Sequence, residues 1–156
     1  MRLTELLSED LILPSLKGTS VTSVLREFAD AICAAGKHSD PDILYRRLYE
    51  REKQESTGIG KGIAIPHCKV DGLAEVVLAV GYSDGGVDFR SLDGQPTRFF
   101  FLVVSPADAS VQHLRVLAAL SKLLRSKNFL FKLDERPGKK ELLELIKQEE
   151  GAVVTP

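Results

Sequence analysis

The longest uninterrupted apolar run in this chain is Phe99-Phe100-Phe101-Leu102-Val103-Val104. A membrane-spanning helix takes about 20 apolar residues, so no segment predicts membrane insertion. Enrichment in Phe and Val, with short length, predicts a strand over 98–104. A chain whose most apolar segment is one strand long must bury that strand under other elements. Further strands are expected over 63–67 and 75–82. The segment 11–16 reads as another, with Pro14 at an edge or bulge. Ser83-Asp84-Gly85-Gly86 and Asp93-Gly94 read as the turns between strands.

Helical signals surround these strands. Val21, Val24, Leu25, Phe28, Ala29, Ile32 and Cys33 follow i, i+3, i+4, i+7 spacing, which predicts an amphipathic helix. Ser20 or Thr22 can cap it and Gly36 can end it. Asp40-Pro41 starts a second helix through Leu44, Tyr45 and Leu48 to about Lys53. Asp108 or Ser110 can cap a third, through Val111, Leu114, Leu117, Ala118, Ser121 and Leu124. A short helical piece is expected over 129–133 and a final helix over 140–148, with a loose tail after it. Helices and strands thus mix along one chain without repeats or long linkers. The fold class is α/β, or α+β layered.

Composition narrows function. With 156 residues the chain can bury roughly 70% of its unfolded surface. Twenty-one basic and 22 acidic residues leave a formal net charge of −1, which argues against a general nucleic-acid binder. Two cysteines, Cys33 and Cys68, are too few for a disulfide scaffold, and no secretory signal is evident, so a reducing cytoplasm is expected.

The chemistry-bearing candidates are few. Ser56-Thr57-Gly58-Ile59-Gly60-Lys61-Gly62 is a glycine-dense loop. Gly62 stands where a P-loop needs Ser or Thr, and Glu55 stands where it needs its first glycine, so the nucleotide pattern fails. The dinucleotide pattern fails at Ile63. Backbone amides of such a loop can still hold phosphate oxygens. His67 follows at the end of Ile63-Ala64-Ile65-Pro66, a strand tip stiffened by proline. It is either a solvated bystander or an imidazole presented for chemistry. His113 partly shares the apolar side of its helix and reads as a half-buried core histidine. His38, between Lys37 and Ser39, reads as ordinary surface. Arg51 reads as a helix-end charge suited to the helix dipole. Cys68 neighbours His67, but successive strand residues face opposite ways, which argues against a Cys-His pair. The His and Cys residues do not suggest a metal site.

The stretch from Ser56 to His67 closely resembles the active-site signature of the fructose/mannitol-type enzyme IIA domains of the bacterial phosphotransferase system. Val87-Asp88-Phe89, Leu92-Asp93-Gly94-Gln95-Pro96, the 99–104 strand, Ser105-Pro106-Ala107-Asp108 and His113-Leu114 continue it. The resemblance covers residues 3–149 as one domain and leaves 150–156 as a flexible tail. It implies a mixed β-sheet flanked by helices, with the histidine at a sheet edge. It implies a phosphoryl group carried on His67 through Nε2, with His113 and Arg51 as site neighbours. Thr57, Gly58, Ile59 and Gly60 would form a phosphate-binding loop. The spacings of 16 residues from Arg51 to His67 and 46 from His67 to His113 fit the family pattern. Cys68 departs from the small residue expected after the motif histidine.

The resemblance also implies partners: the histidine phosphocarrier protein as donor, and a IIB component or a regulatory protein as acceptor, with no metal or cofactor. The short chain is most similar to the nitrogen-regulatory branch. A fructose-type subunit passing phosphate to a IIB cysteine is the alternative. A rival of another class is a non-catalytic interaction module that uses the same face.

Overall fold

The computed structural model describes residues 2–154. Their strands are β1 (Ile12–Leu13), β2 (Gly58–Gly60), β3 (Ile63–Ala64), β4 (His67–Val70), β5 (Val77–Val87) and β6 (Thr97–Pro106). Their α-helices are α1 (Val21–Ala34), α2 (Pro41–Gln54), α3 (Ser110–Leu123), α4 (Lys127–Leu133) and α5 (Lys139–Val154). The apolar run forms most of β6, at the centre of a mixed sheet. β5 pairs with one side of β6 in antiparallel register. β3 and then β4 pair with its other side, both parallel. β1 lies parallel outside β5, and β2 antiparallel outside β3.

No residue from Phe99 to Val104 is more than 5% exposed. Phe100 meets the ring of Phe28 in α1 at 6.3 Å, whereas Phe101 meets Phe129 in α4 at 6.3 Å. Successive strand residues face opposite sides of a sheet, so helices cover both faces of β6. This is why the run is continuously apolar instead of alternating. The α/β expectation of a mixed sheet flanked by helices holds.

The helices follow their periodic signals closely. α1 buries Val24, Leu25, Phe28, Ala29 and Ile32, and Ser20 caps it by accepting from the Ser23 amide. Gly36 leaves the helix at φ +78°. Asp40 caps α2 through the amides of Asp42 and Ile43. Neither Asp108 nor Ser110 caps α3: its N-cap is Ala109, without a side-chain bond. α5 reaches Val154, beyond the expected 148 and into the segment read as a tail. Glu149 accepts from Asn128, and Glu150 accepts from the amides of Leu3 and Thr4. Thr155 and Pro156 lie outside the described residues, and among those residues no helix is long and apolar enough to cross a membrane.

The strands differ more from expectation. β1 keeps only two residues of 11–16, with Pro14 just beyond them at the sheet edge. Ser83-Asp84-Gly85-Gly86 is not a connection between strands but an irregular stretch inside β5, where the register shifts between Tyr82 and Val87. The expected strand over 63–67 is split. Ile65 and Pro66 separate β3 from β4, and both pieces pair with β6. Pro66 has no N–H to give, but its carbonyl accepts from Val103. The chain is therefore held through the break, and His67 opens β4 at an edge bordered by α2 and α3.

Candidate active site

His67 is partly buried, and its Nδ1 lies 2.8 Å from the carbonyl oxygen of Ile65. A carbonyl can only accept, so Nδ1 carries the proton and Nε2 keeps its lone pair. Burial moves the imidazole below the ordinary histidine pKa; the Ile65 bond opposes this and the Arg51 charge adds to it. The ring is thereby held neutral with a defined nucleophilic nitrogen. The supporting carbonyl is itself anchored. Ile65 donates its amide to the Thr57 carbonyl at 3.1 Å. Thr57 in turn donates its amide and hydroxyl to the two oxygens of Glu52, both at 2.6 Å. Burial raises the Glu52 carboxyl, and the Thr57 bonds pull it back.

His113 faces His67 across 5.6 Å between ring centroids. It is 7% exposed, and its Nδ1 lies 2.6 Å from Ser105 Oγ, which is fully buried. Burial, followed by the charges of His67 and Lys69, pushes its pKa down to about 4. The histidine expected to be half-buried is buried more completely than that, and its ring also lines a cavity with His67.

That open cavity has a volume of about 370 Å³ and contains Arg47, Glu50, Arg51, Gln54, His67, Lys69 and His113 in its lining. The structure therefore brings the three expected residues Arg51, His67 and His113 together. Arg51 Nη1 donates to the Glu55 carbonyl at 2.8 Å, Arg47 Nε to the Lys69 carbonyl at 3.3 Å, and Lys69 Nζ to Ser110 Oγ at 3.0 Å. Three cations and one carboxylate give the cavity a positive balance, suited to phosphoryl oxygens.

Arg47, Lys69 and Ser105 were missed as site residues. Two had a signal. Arg47 precedes Arg51 by four residues on a helix, and Lys69 follows His67 by two on a strand, so each shares a face with a candidate. Ser105 lay in a stretch that carried the resemblance but had no signal for a contact with His113, because only the packing of α3 on β6 brings the two together.

The expected phosphate loop is elsewhere. Thr57, Gly58, Ile59 and Gly60 do not line this cavity. The Thr57 amide is bound to Glu52 and the Gly58 amide to Ser56 Oγ. Gly60, Lys61 and Gly62 all take positive φ, which makes the tight turn from β2 to β3. The glycines serve that turn.

Two other residues needed the tertiary structure. The Cys68 side chain is buried and its thiol is pushed up to about 12 by desolvation, so it is inert as a nucleophile. His38 is not surface: it is 8% exposed. Its Nδ1 accepts from the Asp40 amide at 3.1 Å, and its Nε2 donates to the Asp71 carbonyl at 2.8 Å.

The chain is similar to known proteins over most of its length. The chain is 35% identical over 148 residues to a PTS system fructose-specific EIIABC component of Bacillus subtilis, covering 95% of this chain but only 23% of that longer protein. It is 36% identical over 133 residues to a nitrogen regulatory protein of Bradyrhizobium diazoefficiens, covering 85% of this chain and 86% of that one. The crystal structure of the nitrogen regulatory protein IIA-Ntr from Neisseria meningitidis matches with a TM-score of 0.85 at 25% identity, over 92% of this chain and 98% of that one. The family model for the phosphoenolpyruvate-dependent sugar phosphotransferase system, EIIA 2, matches residues 5–149. That match takes in every strand and the whole cavity, and the chain belongs to the EIIA type-2 family of the phosphotransferase system.

Proposed function

We propose that this phosphotransferase-system component accepts a phosphoryl group on Nε2 of His67 from the histidine phosphocarrier protein and passes it on. One observation carries the reading: His67, with its Nδ1 proton bound to Ile65 and Nε2 left as the nucleophilic nitrogen, lines one cavity with Arg47, Arg51 and Lys69. As the new P–Nε2 bond forms, the donor's P–N bond breaks and its electron pair stays with the donor ring. The Nδ1 proton of His67 stays on Nδ1, donated to the Ile65 carbonyl, so attack by the Nε2 lone pair requires no base. Charge spreads over three equatorial oxygens in such a transition state, and catalysis is positioning plus electrostatics. Arg51, Arg47 and Lys69 supply the cations, and His113 a hydrogen bond. The 57–60 loop acts indirectly, by holding Ile65. The step uses no metal or cofactor.

The acceptor is a regulatory protein or a IIB component. Identity alone weighs the branches about equally, at 35% for the fructose-specific relative and 36% for the nitrogen regulatory one. The backbone likeness to IIA-Ntr supports the nitrogen-regulatory branch. In that reading a phosphoryl group adds roughly −1.5 to −2 charges to a docking face, which a regulator can sense.

The test mixes the chain with phosphoenolpyruvate, enzyme I and the phosphocarrier protein. Wild type is expected to take a stable label and His67→Ala none; equal labelling of both would overturn the assignment. Rapid transfer of that label to the cysteine of a fructose-type IIB would favour the sugar branch. Equal affinity of a regulatory target for both phosphorylation states would favour the interaction module.

A further inference from the structure

Ser105 has no role in the chemistry just described, yet it sits directly behind it. It is the penultimate residue of β6 and has no exposed surface. Its hydroxyl approaches His113 Nδ1 at 2.6 Å and bonds to nothing else among the described residues. A buried hydroxyl has one proton to place. If Nδ1 carried the ring proton, Ser105 Oγ would accept it and the buried hydroxyl proton would have no acceptor among the described residues. Leaving a buried donor unmade costs more than an ordinary hydrogen bond contributes. The satisfied arrangement is the reverse: Ser105 donates, Nδ1 accepts, and the ring proton goes to Nε2.

We infer that Ser105 is a positioning residue that fixes His113 in the Nε2–H tautomer, making it a hydrogen-bond donor to the phosphoryl group on His67. The two rings are then complementary. A backbone carbonyl holds the proton of His67 on Nδ1 and leaves a lone pair at Nε2. A serine holds the lone pair of His113 at Nδ1 and leaves a proton at Nε2. The tilted rings, 5.6 Å apart, both line one cavity, and in each it is Nε2 that the Nδ1 bond leaves free. Charge cannot substitute for the tautomer, because the burial that pushes His113 down to about 4 keeps it neutral at pH 7. A doubly protonated ring would donate regardless of Ser105; a neutral one donates only if its partner selects the right nitrogen.

The consequence for transfer rests on the reading of His67 as acceptor, but the tautomer does not. Proton–nitrogen NMR correlation on the histidine-labelled, unphosphorylated protein reads it directly. The expected result is a single His113 tautomer with its proton on Nε2 and an Nδ1 resonance typical of a hydrogen-bond acceptor. A proton on Nδ1 would overturn the inference. In Ser105→Ala the Nδ1 resonance should move to that of an unbonded nitrogen. Single-turnover transfer at saturating donor should fall on the order of tenfold, the size of one net hydrogen bond, with the dissociation constant for the phosphocarrier unchanged. Ser105→Thr keeps the hydroxyl and suits a strand, and should retain both the resonance and the rate. Wild-type transfer by Ser105→Ala would remove Ser105 from the mechanism. Persistent labelling of His67→Ala would instead sink the functional reading and leave the NMR result standing.

Discussion

His38 and His67 are both histidines whose rings bond to a backbone carbonyl at 2.8 Å, yet their surroundings assign them opposite work. At the turn before α2, His38 spends both nitrogens inside the protein, one accepting from Asp40 and one donating to Asp71. It ties the start of α2 to the turn between β4 and β5. At the start of β4, His67 spends one nitrogen and keeps the other open to a cavity with Arg47, Arg51 and Lys69. Burial and a hydrogen bond therefore do not separate a structural histidine from a chemical one. On the proposed reading of His67, the unspent lone pair and the charge around it do.

The strongest way to break this contrast is to remove each ring. His67→Ala should lose all phosphoryl labelling while its melting temperature changes little, since one ring edge already faces the cavity. A labelled His67→Ala would show that the lone pair is not the acceptor. Next in size is the cavity charge. Arg51→Ala should slow single-turnover transfer by about 10²–10³, the range for losing one preorganised electrostatic donor, with Arg51→Lys recovering part of it. A change under twofold in stopped-flow transfer would place Arg51 outside the reaction.

The cavity histidines also predict a pH dependence of stability. The His113 pKa is pushed down to about 4 and that of His67 is lowered, so the unfolded chain binds protons first as pH falls. Their contribution is complete above about 6.5, the ordinary histidine value. It is lost progressively toward pH 4. His113→Gln should flatten the melting temperature in that window, and an unchanged slope would refute the burial account. The smallest effect on transfer belongs to His38→Ala. It leaves the Asp40 amide and the Asp71 carbonyl without their partner, at a cost of roughly 1–3 kcal/mol in urea denaturation. The transfer rate at pH 7 should stay at wild type; a large loss would mean that the two regions are coupled.

Legibility followed the range of the forces. α1 and α2 were readable because cap, period and terminating residue all lie within one local segment, as Ser20, Phe28 and Gly36 illustrate. β2 and the break at Ile65-Pro66 were not, because three- and two-residue strands exist only by pairing with a neighbour. The place of the glycine loop was not legible for a related reason. Its composition is equally suited to cradling an anion or turning a hairpin, and only the folded chain shows that the Thr57 and Gly58 amides are taken by Glu52 and Ser56 and that the loop lies outside the lining of the His67 cavity. α5 outran its expected end because Glu150 reaches residues 147 and 146 positions away in the chain.

What the amino-acid order determined alone was the set of elements with local periodicity, one strand apolar enough to be central, and a signature that ends on His67. Those are properties of adjacent residues, and the resemblance rests on them. What only the tertiary structure decided was which nitrogen of each histidine carries a proton, which cations surround them, and that His38 is a brace. A tautomer is set by the nearest fixed donor or acceptor, and here those are Ile65, Ser105, Asp40 and Asp71. Ser105 and Asp71 meet their rings only when the sheet and helices are packed together.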